Sequence, residues 1–165
     1  MKKTCLTLTV VIFILISSSR LHAQTIQTKL NQVELMKKFI GSWTCTTGKD
    51  TTAMWDFKSF GTGLECYVKY ITKGKIFREV KSLYGYDKSF DKFIAPGMVK
   101  GMGIEIFAIW FLSDKNYEIV YYSDIQDPEK ALIKTVGEIN SPDKLVVTKL
   151  INNKPISTLT YTRIE

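Results

Sequence analysis

After Gly41 no stretch of the chain carries a helical period, and that absence constrains the fold more than anything else in the sequence. The segments "SWTCTTGK", "TTAMWDFKSF", "LECYVKYI", "KIFREVKSLYGYD", "IEIFAIWFL", "NYEIVYY", "ALIKTVGEI", "KLVVTKLI" and "ISTLTYTRI" are short and rich in β-branched and aromatic residues, and most of them alternate. In "LECYVKYI", Leu64, Cys66, Val68 and Tyr70 share one face, and Glu65, Tyr67 and Lys69 the other. Between the segments lie clusters such as "TKGK", "SDKN", "NSPDK" and "NNKP", which read as turns. "YDKSFDKF" reads as a polar-aromatic bend. "PGMVKGMG" is either a mobile hairpin or, through Met98 and Met102, a pliable apolar lip. Strands joined by short loops run antiparallel, and a succession of them without helical crossovers is a meander. An open meander leaves two long edges for other chains to pair with, and closure removes both. The expected fold is all-β: an antiparallel up-and-down β-barrel of about 8–10 strands with one short N-terminal helix.

The helix is expected over residues 28–40, where Leu30, Val33, Met36 and Ile40 recur at helical spacing. Thr28 is placed to cap its start, and Gly41 stands where a left-handed residue stops a helix. Further upstream, Lys2 and Lys3 precede an apolar run from Leu6 to Ile16, and "SSSRLHA" ends in the small residue Ala23. A basic start, an apolar run too short to span a bilayer and a small residue after it read as a secretory signal peptide over 1–23. Cys5 precedes the apolar run, on the wrong side for a lipoprotein cysteine. Residues 24–165 then form one exported domain, periplasmic or secreted, with no membrane insertion expected.

The sequence has one histidine, His22, inside that leader. A mature chain without histidine excludes His-based acid–base catalysis, Ser-His and Cys-His nucleophiles, and His-ligated zinc or haem. Loss of Lys2, Lys3 and Arg20 takes the 23 basic residues down by three, to 20 against 16 acidic ones. These charges are interleaved rather than blocked, so the reading is a solvated surface with no nucleic-acid partner. Ser89–Lys92 and Ser141–Lys144 have the spacing of a serine–lysine pair, but both fall in expected turns and read as chance. No metal site or cofactor is expected: Asp124, Asp127 and Glu129 do not follow a calcium-loop pattern.

Two cysteines remain in the domain, Cys45 and Cys66. They are either a disulfide, as export favours, or two buried free thiols, as a strand lying between them favours. The aromatic residues are more suggestive of function. Trp55, Tyr67, Tyr70, Tyr84, Trp110, Tyr121 and Tyr161 fall in expected strands. They either fill a barrel or line room for one small ligand, for which a tyrosine offers an apolar wall with a polar tip. Arg78 shares a face with Ile76 and Val80, and it either points inward to meet a carboxylate or pairs outside. "IEIFAIWFL" is apolar on both faces, so its outer face is covered by the helix or by a second copy, a homodimer through 104–112.

"FIGSW" at the junction of helix and first strand explains how such a barrel is closed. Gly41 allows a tight turn, and Trp43 fills the tapering end of a small barrel. A helix, then Gly-x-Trp opening the first strand, then an up-and-down meander resembles the lipocalin-like (calycin-type) barrels, which include exported bacterial proteins of unknown function. The resemblance implies a basic side chain near the end of the last strand packed on that tryptophan. Arg163 in "LTYTRIE" stands in the matching place, on one face with Leu159 and Tyr161. The expectation is an exported, non-enzymatic protein holding a hydrophobic or amphipathic molecule, the alternative being a structural or interaction protein with a side-chain-filled barrel.

Overall fold

The structure, a computed structural model, describes residues 29–164. The signal peptide expected over 1–23, with Cys5 and His22, and the Thr28 cap lie outside the described residues. Ten strands form one closed antiparallel barrel: β1 (Gly41–Gly48), β2 (Thr51–Phe60), β3 (Gly63–Thr72), β4 (Lys75–Asp87), β5 (Lys92–Val99), β6 (Gly103–Phe111), β7 (Asn116–Tyr121), β8 (Ile133–Ser141), β9 (Lys144–Ile151) and β10 (Lys154–Ile164). Each strand pairs with its neighbours in sequence, and β1 closes on β10 through Ser42↔Ile164, Trp43↔Arg163 and Thr44↔Thr162. Two of the hairpins turn on paired positive-φ residues, Lys73 and Gly74 (φ 51 and 74) and Asn152 and Asn153 (φ 50 and 58). Such turns match the twist of the strands they join.

"PGMVKGMG" is the β5–β6 hairpin, with Val99 opposite Gly103. β5 runs through Pro96 and Gly97 to Val99, and only 100–102 turn. Proline brings no N–H, and the β4–β5 ladder skips from Ser82↔Gly97 to Gly85↔Ile94 around it.

The helix is shorter than its pattern. α1 (Gln32–Met36) continues as a 3₁₀ turn over Lys37–Phe39. Its cap is Asn31, whose side-chain oxygen accepts from the Glu34 N–H at 3.2 Å. Gly41 does not stop the helix as a left-handed residue. Ile40 has already left it in extended geometry (φ −53, ψ 130), and Gly41, at φ 121, opens β1.

Helix and turn seal one end of the barrel. Met36 and Phe39 are buried there beneath Trp43, which is 1% exposed. Phe39 packs on Phe57 and Phe111 at 5.5 and 5.8 Å and meets Tyr117 edge-on at 5.0 Å. Gln32, buried between α1 and β6, donates from Nε2 to the Phe111 carbonyl at 3.0 Å, and its Oε1 accepts from the Phe111 N–H at 2.7 Å. The side chain thus completes the ladder at the end of β6 as a short strand would.

The outer face of β6 is not covered by the helix. Ala108 and Trp110 lie beneath Ile125 and Ala131 of the β7–β8 connection, with Val120 beside them and Phe90 and Ile94 at the border. That connection is tied down by Lys134, which reaches Glu118 at 3.1 Å on the barrel wall and Glu129 at 3.2 Å in the loop. Ile104 and Ile106 stay exposed before the covered stretch and Leu112 after it, so a contact through 104–112 has the two ends of that face free but not its middle.

Candidate functional site

Period-2 alternation in every strand sends one row of side chains inward, and these rows leave a cavity of about 420 Å³ above the plug. Its floor is made by Met36, Phe39, Phe57 and Tyr117, all buried. Trp55, Val68, Tyr84, Ile109 and Tyr161 form the walls. Tyr70, Arg78, Glu105, Tyr121, Lys149 and Ser157 lie toward the opposite end, where Tyr121, Lys149 and Ser157 are exposed. The cavity is thus closed at the helix end and opens where β3 meets β4 and β9 meets β10. Tyr117 reaches its place by crossing Gly137, where any Cβ would overlap the phenol ring.

Trp55 is stacked on Tyr161 with centroids 3.9 Å apart, and it meets Phe57 edge-on at 6.2 Å. Phe57 continues the aromatic wall to Tyr84 at 5.6 Å. Nearer the mouth, Arg78 Nη2 donates to Glu105 Oε2 at 3.0 Å, and its guanidinium lies 5.9 Å from the Tyr70 ring centroid. Among the described residues, Trp55 Nε1 and Arg78 Nε are the buried side-chain polar atoms without a hydrogen-bond partner. Leaving a buried donor unmet costs about 1–3 kcal/mol, and neither nitrogen has surface open to the cavity.

The deep walls are held neutral. Burial pushes the Cys66 thiol up to about 12, outweighing the hydrogen bonds that would lower it. Burial raises Tyr161 above the usual phenol range, and the Cys45 thiol beside it adds to the shift. Burial likewise raises Tyr84, which contacts Cys66, and Tyr70 and Tyr117. Trp55, Tyr70 and Tyr84 are only half-buried, yet they line the cavity, and it is there that their remaining surface opens. What this interior offers chemically is a flat apolar stack and neutral phenols, with the Arg78–Glu105 pair and the exposed Lys149 toward the mouth.

The structure brings Trp55, Tyr70, Arg78, Tyr84, Tyr121 and Tyr161 to the cavity, but not Tyr67 or Trp110. Tyr67 sits between the inward Cys66 and Val68 and so points outward, where the Lys69 ammonium lies 4.9 Å from its ring. Trp110 sits between the inward Ile109 and Phe111, and the Lys92 ammonium lies 4.6 Å from its ring on the outer face. Glu105 was legible but overlooked. It shares the inward face of β6 with Phe107 and Ile109, and the flanking isoleucines disguised that face.

Cys45 and Cys66 are free, buried thiols rather than a disulfide. Cys45 is opposite Ala53 and Cys66 opposite Phe57, four residues further along β2. About 13 Å along the strand is thus added to two strand spacings of about 4.8 Å, well beyond a bridge.

Gly41, Trp43 and Arg163 meet at the base. The guanidinium lies 4.2 Å from the Trp43 ring centroid, and Trp43 Nε1 donates to the Phe39 carbonyl at 2.8 Å. Arg163 also donates to the carbonyls of Ile40, of Lys38 at 3.1 Å and of Pro142 at 2.9 Å. A Cβ on Gly41 would collide with that guanidinium. A scan against protein-family models and a search of curated proteins each found no match.

Proposed function

We propose that the chain is an exported, lipocalin-like (calycin-type) protein that holds one small hydrophobic or amphipathic molecule in its barrel and does no chemistry on it. The observation that carries the reading is the cavity of about 420 Å³, walled by stacked aromatic rings and open at one end. This volume falls in the range that encloses a small organic ligand, and the mixture of apolar wall and few placed polar groups is what such sites use. The wall thiols and phenols keep their protons, which favours binding over nucleophilic chemistry. Export rests on the leader-like pattern of residues 1–23.

Native mass spectrometry of protein purified from its own host tests the reading. The expected result is a discrete added mass that is lost on unfolding. Protein that always carries its bare mass, and that takes up no hydrophobic probe, refutes it.

A further inference from the structure

We propose that the ligand is an amphipathic monoanion of the alkyl carboxylate class, whose head group is held at the mouth by Lys149 between Thr135 and Ser157 while its apolar body fills the barrel below. This rests on the reading above, that the cavity holds a small molecule. The register of β8, β9 and β10 builds the head-group site. Thr135 is opposite Lys149, and Lys149 is opposite Ser157. All three line the cavity. One ammonium thus stands with a hydroxyl on either side, in a single row across three neighbouring strands. Such a row offers only donors to an anionic oxygen, and a bond to a charged acceptor is the stronger kind.

The charge balance of the cavity wall singles out Lys149. The other cations that line it are already matched: Arg78 by Glu105 at 3.0 Å, and Lys134 by Glu118 and Glu129 at 3.1 and 3.2 Å. Lys149 is exposed and, among the described residues, belongs to no ion pair. One unmatched cation balances one negative charge, so the wall favours a monoanion over a cation or a dianion. The turns around the mouth add to the same field. There Lys100 is matched by Glu79 and Lys130 by Asp127. Lys49, Lys73, Lys75 and Lys154 are exposed outside any ion pair among the described residues, against only Asp50 and Asp124. An opening with this excess of positive charge draws anions toward it.

The deep part of the barrel takes the rest of the molecule. On β9 the inward row falls from Lys149 through Val147 to Leu145, which is opposite Tyr161. That drop of four residues is about 13 Å along the strand. At its foot Tyr84 and Tyr161 keep their protons, and Trp55 stacks on Tyr161. A charge carried down to that level would lose its water and gain no counter-charge. A head group beside Lys149 keeps water on its outer side, and only the apolar body is desolvated.

The test uses the full chain purified after export. N-phenyl-1-naphthylamine, a neutral fluorophore, reports occupancy of the barrel, and decanoate, decanol and decylammonium compete with it below their micellar concentrations. Decanoate is expected to bind about fivefold more tightly than decanol, the scale of one part-exposed charge pair, and decylammonium more weakly than either. Added salt is expected to narrow the gap between decanoate and decanol. Lys149→Met keeps an unbranched stem without the charge. It is expected to bring decanoate down to the affinity of decanol and to leave decanol and the fluorophore unchanged. Lys149→Glu is expected to invert the order and place decylammonium above decanoate, and Lys149→Arg to preserve it. Equal binding of decanoate and decanol by the wild-type protein, or a preference for decanoate that survives Lys149→Met, overturns the proposal while the binding reading stands. Tightest binding by decylammonium does the same. Failure of the fluorophore and of all three competitors to bind overturns both.

Discussion

At the helix end of the barrel Trp43 donates to Phe39, stacks under Arg163 and is 1% exposed, and Arg163 in turn serves three backbone carbonyls. At the other end Arg78 keeps one buried N–H unmet, and Phe77, Met102, Leu132 and Ile156 stand exposed in four separate strand connections or strand starts. Lys49, Lys73, Lys75 and Lys154 are exposed on the same rim. The first end is packed around a buried indole, although Phe60 and Leu112 stand exposed in its turns, and the second keeps the barrel interior open. The contrast teaches where the free energy is held. Burial and satisfied hydrogen bonds at the base fix the fold, so the mouth is free to carry side chains chosen for something other than stability.

The sharpest test of that division is alkaline pH. Cys66 is pushed from 9.0 to about 12, and Tyr84, Tyr117 and Tyr161 rise from 10.0, all of them through burial in the lower barrel. Their folded-state values are raised, so the stability they contribute is fully present below pH 9. It is lost as pH climbs past 9.0 and 10.0, where the unfolded chain releases protons that the folded barrel withholds. The expected outcome is a cooperative collapse on the alkaline side, followed by tyrosinate absorbance together with circular dichroism. The buried phenols should ionise in the same step that unfolds the barrel. Ionisation of every tyrosine before the fold is lost would mean that the lower barrel is not sealed.

Next in size comes the plug. Trp43→Ala should cost about 3–5 kcal/mol of stability in urea unfolding, because it empties a fully enclosed site and strips Arg163 of its aromatic partner. A loss of less than about 1 kcal/mol would show that the base does not carry the fold.

The closure of the barrel was legible because its signals are local. Alternation and turn residues count the strands, and an open edge is costly however the strands are arranged. "FIGSW" was legible for a similar reason: Gly41 and Trp43 are two residues apart, and a matching Arg163 stands at the other end of the chain. The failures came from facing and from register. Tyr67 and Trp110 have the aromatic character of a cavity wall, but their own neighbours in the alternation take the inward face. Cys45 and Cys66 needed the pairing of β1, β2 and β3, which depends on contacts no single strand displays. The loop that covers Ala108 and Trp110 left almost no pattern, since Ile125 and Ala131 are isolated apolar residues among turn formers. The outward isoleucines of β6 hid Glu105, the partner of Arg78.

A smaller effect is expected where the helix meets the wall. Gln32→Ala leaves both the N–H and the carbonyl of Phe111 without their side-chain partner in a buried position. The loss should be about 1–3 kcal/mol in chemical denaturation. Hydrogen exchange at the Phe111 amide should accelerate by more than exchange at amides of β9. Uniform acceleration would mean that Gln32 supports the whole barrel rather than the end of one strand.

The smallest effect belongs to the rim. Met102 is 77% exposed in the β5–β6 turn, so its side chain makes few contacts that folding creates. Met102→Ser should therefore move the urea midpoint by no more than about 0.5 kcal/mol equivalent, the range of surface substitutions. Phe77→Ser should move it slightly more, because the Phe77 ring lies 6.0 Å from Tyr70 on the cavity wall. The order of these two variants matters more than their size. If Met102→Ser proves as damaging as Trp43→Ala, stability is spread over both ends, and the apolar rim is part of the core rather than a surface left open at the mouth.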